Sequence, residues 1–220
     1  MLAGKGHEAG QKIGSVEYPF NDKIEAELAI KATYGKHLWT AKELQLVFKT
    51  EIPEYLNAGG VTFNSKEVKT GDLFIALTGG NRDGHTFVRQ AVEKGAAACV
   101  VNHLVEGVSE EKQIVVLDTK EALLALARFA RMRTAAPIAG ITGSSGKTTV
   151  KEMLGACLIQ QGKTYITPAN LNSNLGVPLT LANMPADTEY AVIEMGISHV
   201  GEMTELSDLV RPDVSVITNI

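Results

Sequence analysis

The sequence contains little cysteine and no excess of positive charge, which narrows the kinds of site it can form. Its only two cysteines, Cys99 and Cys157, lie in a strand-like run and in a helical run. Each is expected to be a small buried thiol rather than part of a disulfide or a metal pair. A net charge of −4, with acids and bases interspersed, argues against a nucleic-acid-binding surface.

Long apolar runs are also missing. Every apolar stretch is interrupted within a few residues, so none predicts insertion into a membrane. The N-terminal sequence MLAGKGHEAG lacks the hydrophobic core of a secretory signal. These absences predict a cytoplasmic protein. With 220 residues and 45% hydrophobic content, the chain can form one large or two small domains.

The pattern of the chain predicts three parts. Residues 1–34 are glycine-rich, then polar, then helical in pattern, and they are too short to bury a core alone. Residues 35–136 and 137–220 both alternate strand and helix patterns, which predicts two α/β domains with parallel sheets. Strands are expected in VTFNS, DLFIAL, AACVVN and QIVVLD, and then at 137–142, 163–167, 190–195 and 213–219. Helices are expected in KELQLVF behind a capping box of Thr40 and Glu43, at 87–94, at 121–133, in KEMLGACLIQQG after residue 149, near 177–183 and at 201–210.

The most informative segment is ITGSSGKTT, residues 141–149, which follows an apolar run and precedes a helical pattern. A glycine-punctuated turn there directs several backbone N–H groups and one lysine at a single point, which suits the phosphates of ATP or GTP. The signal is carried by Gly143, Gly146, Lys147 and Thr148, because the first glycine of the usual phosphate-loop spacing would fall at Ile141. The alternative is an ordinary strand–turn–helix with a solvated lysine.

Two further features lie downstream of this loop. The segment PANLNSNLGVP, residues 168–178, concentrates amides that can bind a polar, phosphorylated ligand, although turn chemistry alone also explains it. Glu194 follows at the C-terminal end of a predicted strand, where open α/β sheets bind ligands and where a carboxylate can hold Mg²⁺. A structural role for this glutamate, or for His199 after it, is the alternative.

The last residues, DVSVITNI, form an apolar run typical of the interior of a parallel sheet. We therefore expect the third part to be a domain cut partway through, with a natural edge strand as the alternative.

Four runs resemble, in order and spacing, the central domain of the Mur ligases of peptidoglycan synthesis: ITGSSGKTT, PANLNSNLGVPLTL, YAVIEMGISHVGEM and RPDVSVITNI. They are most similar to the family member that adds D-alanyl-D-alanine to UDP-N-acetylmuramoyl-tripeptide. Residues 61–101 resemble the N-terminal domain of the family, which holds the UDP end of that substrate. The resemblance covers residues 37–220 and implies a UDP-binding domain followed by an incomplete ATPase domain.

The resemblance also implies an activity, cofactors and site residues. The family reaction is an ATP- and Mg²⁺-dependent amide ligation through an acyl phosphate, with UDP-N-acetylmuramoyl-tripeptide and D-alanyl-D-alanine as substrates. Residues implied in ATP binding are Gly143, Ser144, Ser145, Gly146, Lys147, Thr148 and Thr149. Residues implied in catalysis are Lys147, Glu194 and His199, with Thr148, Glu194 and His199 as metal ligands. Residues implied in binding the UDP-linked substrate are Ser65, Lys66, Asp83, Asn170 and Asn172.

Some positions depart from the family pattern. Asn64-Ser65-Lys66 replaces the usual Asp-Ser-Arg, which exchanges a planar guanidinium for an ammonium and weakens any bidentate contact at the uridine end. Ala169 replaces a glycine, and Ser145 replaces an asparagine. The carbamylated lysine, the adenine contacts and the C-terminal domain of the family would lie beyond residue 220. We therefore expect this chain not to catalyse the whole reaction.

Residues 1–31 resemble something else, the C-terminal end of the neighbouring ligase that adds the third amino acid. Gly4 and Glu8 would match its contacts to that amino acid. A junction between two fused ligases explains this segment, and an unrelated glycine-rich leader is the alternative. Two alternatives to the ligase itself stay open: a non-catalytic remnant that binds a UDP-sugar, and a ligase of the folylpolyglutamate synthetase type.

Overall fold

A computed structural model describes residues 10–13, 16–19, 37–79 and 82–219. The chain divides into two compact units, Met1–His37 and Leu38–Ile220. In the first unit, β1 (Gly10–Ile13) pairs with β2 (Val16–Pro19) as an antiparallel hairpin. Gly4 and Glu8 lie outside the described residues, so the resemblance of this segment to a second ligase stays a prediction.

The first sheet of the second unit is parallel, with strand order β3-β4-β7-β8. Its strands are β3 (Val61–Thr62), β4 (Leu73–Ile75), β7 (Ala98–Val101) and β8 (Gln113–Val115). Alternate residues of β4 and β7 belong to two different core clusters, so the sheet is buried on both faces. Cys99 lies on one of these faces and is fully buried, as predicted. A short hairpin of β5 (Thr78–Gly79) and β6 (Arg82–Asp83) follows β4.

Three helices accompany the first sheet: α1 (Ala41–Phe48), α2 (Val88–Glu93, after a 3₁₀ turn at Gly84–Phe87) and α3 (Thr119–Arg133). The predicted capping box is confirmed, because Thr40 and Glu43 each bond the other's backbone N–H. Helix α3 begins before the predicted residue 121. Asp118 accepts the N–H groups of Lys120 and Glu121 and so caps an earlier start.

The second sheet is also parallel, with strand order β10-β11-β9-β12. Its strands are β9 (Ile138–Thr142), β10 (Thr164–Ile166), β11 (Tyr190–Glu194) and β12 (Val214–Ile217). Its helices are α4 (Lys147–Ile159), α5 (Gly176–Ala182) and α6 (Glu202–Val210). The predicted parallel α/β organisation is confirmed in both sheets. No helix in the described ranges is long and apolar enough to cross a membrane.

The prediction of a buried thiol at Cys157 is wrong, because this residue is exposed on α4. The helix turns only a narrow stripe inward, in which Lys151 and Gly155 are buried. Cys157 lies two positions after Gly155, about 200° around the helix. Met153, on the same helix, is likewise 65% exposed. An apolar run therefore did not identify which side of this helix faces the sheet.

The two sheets of the second unit have separate core clusters, and helices α3 and α5 contribute residues to both of them. Leu179 and Ala182 of α5 join the cluster that covers the first sheet. The indole Nε1 of Trp39 donates to the carbonyl oxygen of Ala182 at 2.9 Å. The side chain of Asn183 hydrogen-bonds both backbone groups of Val61, as a neighbouring strand would. Its Oδ1 accepts the N–H of Val61 at 2.9 Å, and its Nδ2 donates to the carbonyl oxygen of Val61 at 2.8 Å. The division into domains at 136/137 stays a prediction, because α3, which precedes this boundary, and α5, which follows it, each pack in both clusters.

Replacing Asn183 with alanine should lower the free energy of unfolding by about 1–3 kcal/mol, because it leaves the partly buried backbone groups of Val61 without partners. Urea unfolding of the 220-residue chain measures this. Asn170→Ala, at an exposed asparagine, is the matched control and should change the free energy by less than about 0.5 kcal/mol. Equal losses in both variants would contradict the bridging role of Asn183.

Glu43 should make stability depend on pH. Burial raises its pKa, but hydrogen bonds from Thr40 and from Arg133 outweigh burial, so the pKa lies below the usual value of 4.5. A lowered folded-state pKa contributes stability above about pH 4.5 that is lost as the pH falls through the folded-state value. Between about pH 6 and pH 3, urea unfolding should therefore show a smaller loss of stability in Glu43→Gln than in the parent chain.

Glu51→Gln, at an exposed glutamate, is the control for this experiment. Its stability should fall with pH as in the parent. If the curve of Glu43→Gln ran parallel to the parent curve, the bonds to Thr40 and Arg133 would not set this pH dependence.

Candidate functional site

The loop between β9 and α4 has the geometry of an anion site. Gly143 and Gly146 both adopt positive φ, at 135° and 80°, and a Cβ at Gly143 would lie 2.8 Å from the carbonyl oxygen of Asn219. Ser144 donates its N–H to that same oxygen at 2.9 Å, which fixes the loop against the end of β12. Helix α4 begins at Lys147 without a side-chain cap, so its first N–H groups are available to an anion.

Lys147 lies across this loop. Its Nζ donates to the carbonyl oxygen of Gly143 at 2.6 Å. The ammonium therefore lies close to Ser144 and Ser145, two exposed residues of the loop. When a phosphate binds the loop, the ammonium could exchange its hydrogen bond to the neutral carbonyl of Gly143 for one to a phosphate oxygen. The second bond is stronger, because its acceptor is charged.

Glu194 is the second element of the site and is 1% exposed. It ends β11, the strand beside β9, and its N–H donates to Oγ1 of Thr167 at 2.9 Å. Its carboxylate accepts Oγ1 of Thr148 at 3.1 Å and Nδ2 of Asn172 at 2.7 Å. The fold thus joins the phosphate loop, the asparagine-rich loop and the end of β11 at one carboxylate.

This arrangement fits Mg²⁺. The hydroxyl of Thr148 and the carboxylate of Glu194 are adjacent oxygen donors at the first turn of α4, and oxygen is the ligand type that Mg²⁺ takes. No three His, Cys, Asp or Glu side chains gather into a metal site in the part of the chain that the structure describes. An ion held by these two residues would draw its other ligands from phosphate and water, as Mg²⁺ commonly does.

His199 is placed differently from the other implied metal ligands. Its side chain is 81% exposed, and its Nδ1 lies 3.4 Å from Oε1 of Glu202. The N–H groups of Ser198 and His199 bond the other oxygen of Glu202 and lower the pKa of that carboxyl. The structure therefore pairs His199 with Glu202 and gives it no hydrogen bond or ion pair with Glu194. Its metal role stays a prediction.

The two asparagines implied in substrate binding have different surroundings. Asn172 is committed to Glu194 through its side chain, and its backbone oxygen accepts the N–H of Gly196 at 2.7 Å. Asn170 is exposed, one residue after Ala169, which holds a positive φ of 45°. Of the two, only Asn172 is brought to the phosphate-loop site by its own contacts.

The residues implied at the uridine end lie on the first sheet. Ser65 is buried and Lys66 is exposed, and both follow β3. Asp83 ends the hairpin that follows β4, where its carboxylate accepts the N–H and Nδ1 of His85 at 2.9 and 2.6 Å. These two bonds lower the pKa of Asp83. Because β3 and β4 are parallel neighbours, both segments leave the same edge of the sheet.

Sequence reasoning missed two residues of the site, Lys151 and Thr167. Lys151 is 1% exposed although it is a lysine in a surface-type helical pattern. Thr167 holds Glu194 through its hydroxyl. The only available signal was spacing, because Lys151 lies one helical turn after Lys147 and on the same side of α4.

Two family models match the chain. The model of the Mur ligase middle domain matches residues 141–220. The model described as the Mur ligase family, catalytic domain, matches residues 57–133. The first range contains residues 141–149 and Glu194, and the second contains Ser65, Lys66 and Asp83.

Named relatives agree with the models. The chain is 42% identical over 183 residues to the UDP-N-acetylmuramoyl-tripeptide--D-alanyl-D-alanine ligase of Rickettsia prowazekii, which covers 83% of this chain and 40% of that protein. A crystal structure of MurF from Acinetobacter baumannii matches with a TM-score of 0.73 at 39% identity, covering 83% of this chain and 41% of that chain. MurF ligase from Thermotoga maritima, crystallised in complex with ADP, matches with a TM-score of 0.62 at 35% identity, covering 73% and 37%.

The chain spans about 40% of the length of the relatives it matches. Within that span, both sequence and fold confirm the resemblance drawn from the motifs. Through both matched segments, the chain belongs to the Mur ligase family.

Proposed function

We propose that this chain carries the nucleotide-binding parts of an ATP-dependent amide ligase that joins D-alanyl-D-alanine to UDP-N-acetylmuramoyl-tripeptide. The observation that carries the proposal is the phosphate loop with the Thr148–Glu194 pair beside it, at the ends of adjacent parallel strands. The relatives that bear this enzyme's name support the choice of substrates. Because the chain spans about 40% of their length, the proposal concerns the whole enzyme of which these residues form part.

In the proposed reaction the γ-phosphoryl group of ATP passes to the carboxylate of the UDP-linked tripeptide, and ADP leaves. The amine of D-alanyl-D-alanine then attacks the acyl phosphate, the amide bond forms and inorganic phosphate leaves. Such transfer depends mainly on positioning and on neutralisation of charge.

The residues of this chain would supply the positioning. The backbone N–H groups of residues 145–149 would hold the phosphates, while the N–H of Ser144 keeps the loop against Asn219. Lys147 would turn from the oxygen of Gly143 to a phosphate oxygen. Thr148 and Glu194 would hold Mg²⁺, which neutralises the charge on the phosphates. His199 is proposed as a further metal ligand on family resemblance alone.

The UDP end of the substrate is proposed to bind Ser65, Lys66 and Asp83, with Asn170 and Asn172 reaching the sugar. In this proposal residues 35–136 form the domain that binds the UDP end of the substrate, and residues 137–220 form part of the domain that binds ATP. Residues 1–34 are proposed to be a tail that resembles the end of a neighbouring ligase. A nucleotide-linked substrate and ATP also place the proposed reaction in the cytoplasm.

Lys147→Ala should weaken the binding of Mg·ATP to the 220-residue chain by about 10- to 100-fold, because a charged hydrogen bond contributes roughly 1.5–3 kcal/mol. Isothermal titration calorimetry with the parent and the variant measures this. Lys163→Ala, at an exposed lysine paired with Asp187 at 2.8 Å, is the matched control and should bind like the parent. Equal affinities for all three would remove the phosphate loop from the proposal.

Addition of UDP to the ¹⁵N-labelled chain should shift the amide signals of Ser65, Lys66 and Asp83, whereas ADP should shift those of residues 143–149. Lys66→Ala should weaken UDP binding by about fivefold, equivalent to roughly 1 kcal/mol, because it removes one exposed cation from the site. Lys69→Ala, at an exposed lysine close by, should not weaken it. Shifts by UDP confined to the phosphate loop would contradict a uridine site on the first sheet.

A further inference from the structure

Lys151 is a buried cation that the proposed chemistry does not use. Its side chain is 1% exposed, and it is the one lysine or arginine among the described residues that is fully buried. It lies on α4 one turn after Lys147, on the helix that follows the phosphate loop. Burying an ammonium is costly unless nearby groups pair with it.

The partners of this ammonium belong to three different segments. Its Nζ donates to the carbonyl oxygens of Thr167 at 3.1 Å and of Ala169 at 3.2 Å. It lies 3.6 Å from Oε2 of Glu194 and 3.1 Å from Oε1 of Glu152, which is largely exposed. Lys151 therefore connects α4, the start of the asparagine-rich loop and the carboxylate of Glu194.

These connections hold a strained segment. Ala169 adopts a positive φ of 45°, which a residue with a Cβ rarely keeps without support from its surroundings. Thr167 also accepts the N–H of Glu194 through Oγ1. Residues 167–169 are therefore connected to the end of β11 in two ways, by this direct hydrogen bond and through the ammonium of Lys151. Loss of the ammonium would leave two carbonyl oxygens without this donor and a buried carboxylate without its cation.

We propose that Lys151 is a positioning residue, which holds the carboxylate of Glu194 and residues 167–169 in the arrangement that lets Thr148 and Glu194 bind Mg²⁺ together with a nucleotide. The inference rests on the proposed function. In this arrangement Lys151 would act on the metal through Glu194 and not by direct contact. Groups that orient a metal ligand from behind typically change metal affinity by about 10- to 100-fold when removed.

A merely structural lysine would change stability and leave the metal dependence of binding unaltered. The decisive quantity is therefore the ratio of the Kd for ATP in EDTA to the Kd for ATP with excess Mg²⁺. Calorimetry on the full 220-residue chain measures this ratio for the parent, Lys151→Met, Glu194→Gln and the double variant.

In Lys151→Met the ratio should fall about tenfold. The Kd in EDTA should stay within about twofold of the parent, because Lys147 and the loop backbone remain. In the Glu194→Gln background, Lys151→Met should cause no further fall in the ratio, since a residue that acts through another has nothing left to orient. Glu152→Gln, which removes the exposed partner of the ammonium, should keep the parent ratio.

An unchanged ratio in Lys151→Met, or an equal further fall in the Glu194→Gln background, overturns the inference. If Lys151→Met does not fold, Lys151→Gln takes its place in the same cycle, because its amide can donate to the two carbonyls without carrying charge. A parent chain that binds ATP no better than Lys147→Ala overturns the proposed function and this inference with it. The inference alone is overturned if Lys147→Ala binds ATP more weakly than the parent while Lys151→Met keeps the parent ratio of Kd in EDTA to Kd with Mg²⁺.

Discussion

The central position of β9 in the second sheet is the constraint on which the candidate site depends. This strand pairs in parallel with β11 on one side and with β12 on the other, so three strands end at the same edge. The phosphate loop leaves from the middle strand, Glu194 ends one neighbour, and the other neighbour leads into Thr218 and Asn219. The N–H of Ser144 donates to the carbonyl oxygen of Asn219, and the hydroxyl of Thr218 donates to the carbonyl oxygen of Ser145, which fixes the path of the loop. Parallel pairing thus converts distant segments into one site.

Helices α3 and α5, which pack in the core clusters of both sheets, couple this sheet to the first one. Arg133 donates to the carbonyl oxygens of Leu38 and Met184 and lies over the ring of Trp39 at 4.1 Å. Together with the indole bond to Ala182, these contacts tie the last helix of the first sheet to the end of α5. A proposed uridine site on one sheet and a proposed ATP site on the other are therefore carried by one packed body. Packing of this kind can keep the proposed uridine site and the proposed ATP site at a fixed distance from each other.

The buried charges of the site are balanced locally. Glu194 is surrounded by a hydroxyl, an amide and an ammonium, and the ammonium of Lys151 is in turn satisfied by two backbone carbonyls. Removing one member of such a set leaves an uncompensated charge, whereas the complete set is tolerated in the interior. Burying Glu194 and Lys151 costs desolvation free energy, and the hydrogen bonds that offset it also fix their positions. These groups can therefore act as a rigid support for exposed residues such as Thr148.

The sequence by itself determined the parallel α/β class, the order and approximate positions of most strands and helices, the glycine-rich turn between β9 and α4, and the family. These features depend on local signals: apolar periodicity, the capping box at Thr40, and glycines where positive φ is needed. Tertiary structure alone decided that Asn172 binds Glu194, that His199 pairs with Glu202, that Cys157 faces outward and that Lys151 is buried. Each of these depends on which elements pack together across the sheet, and a polar residue has the same local pattern whether its partner is solvent or a buried carboxylate.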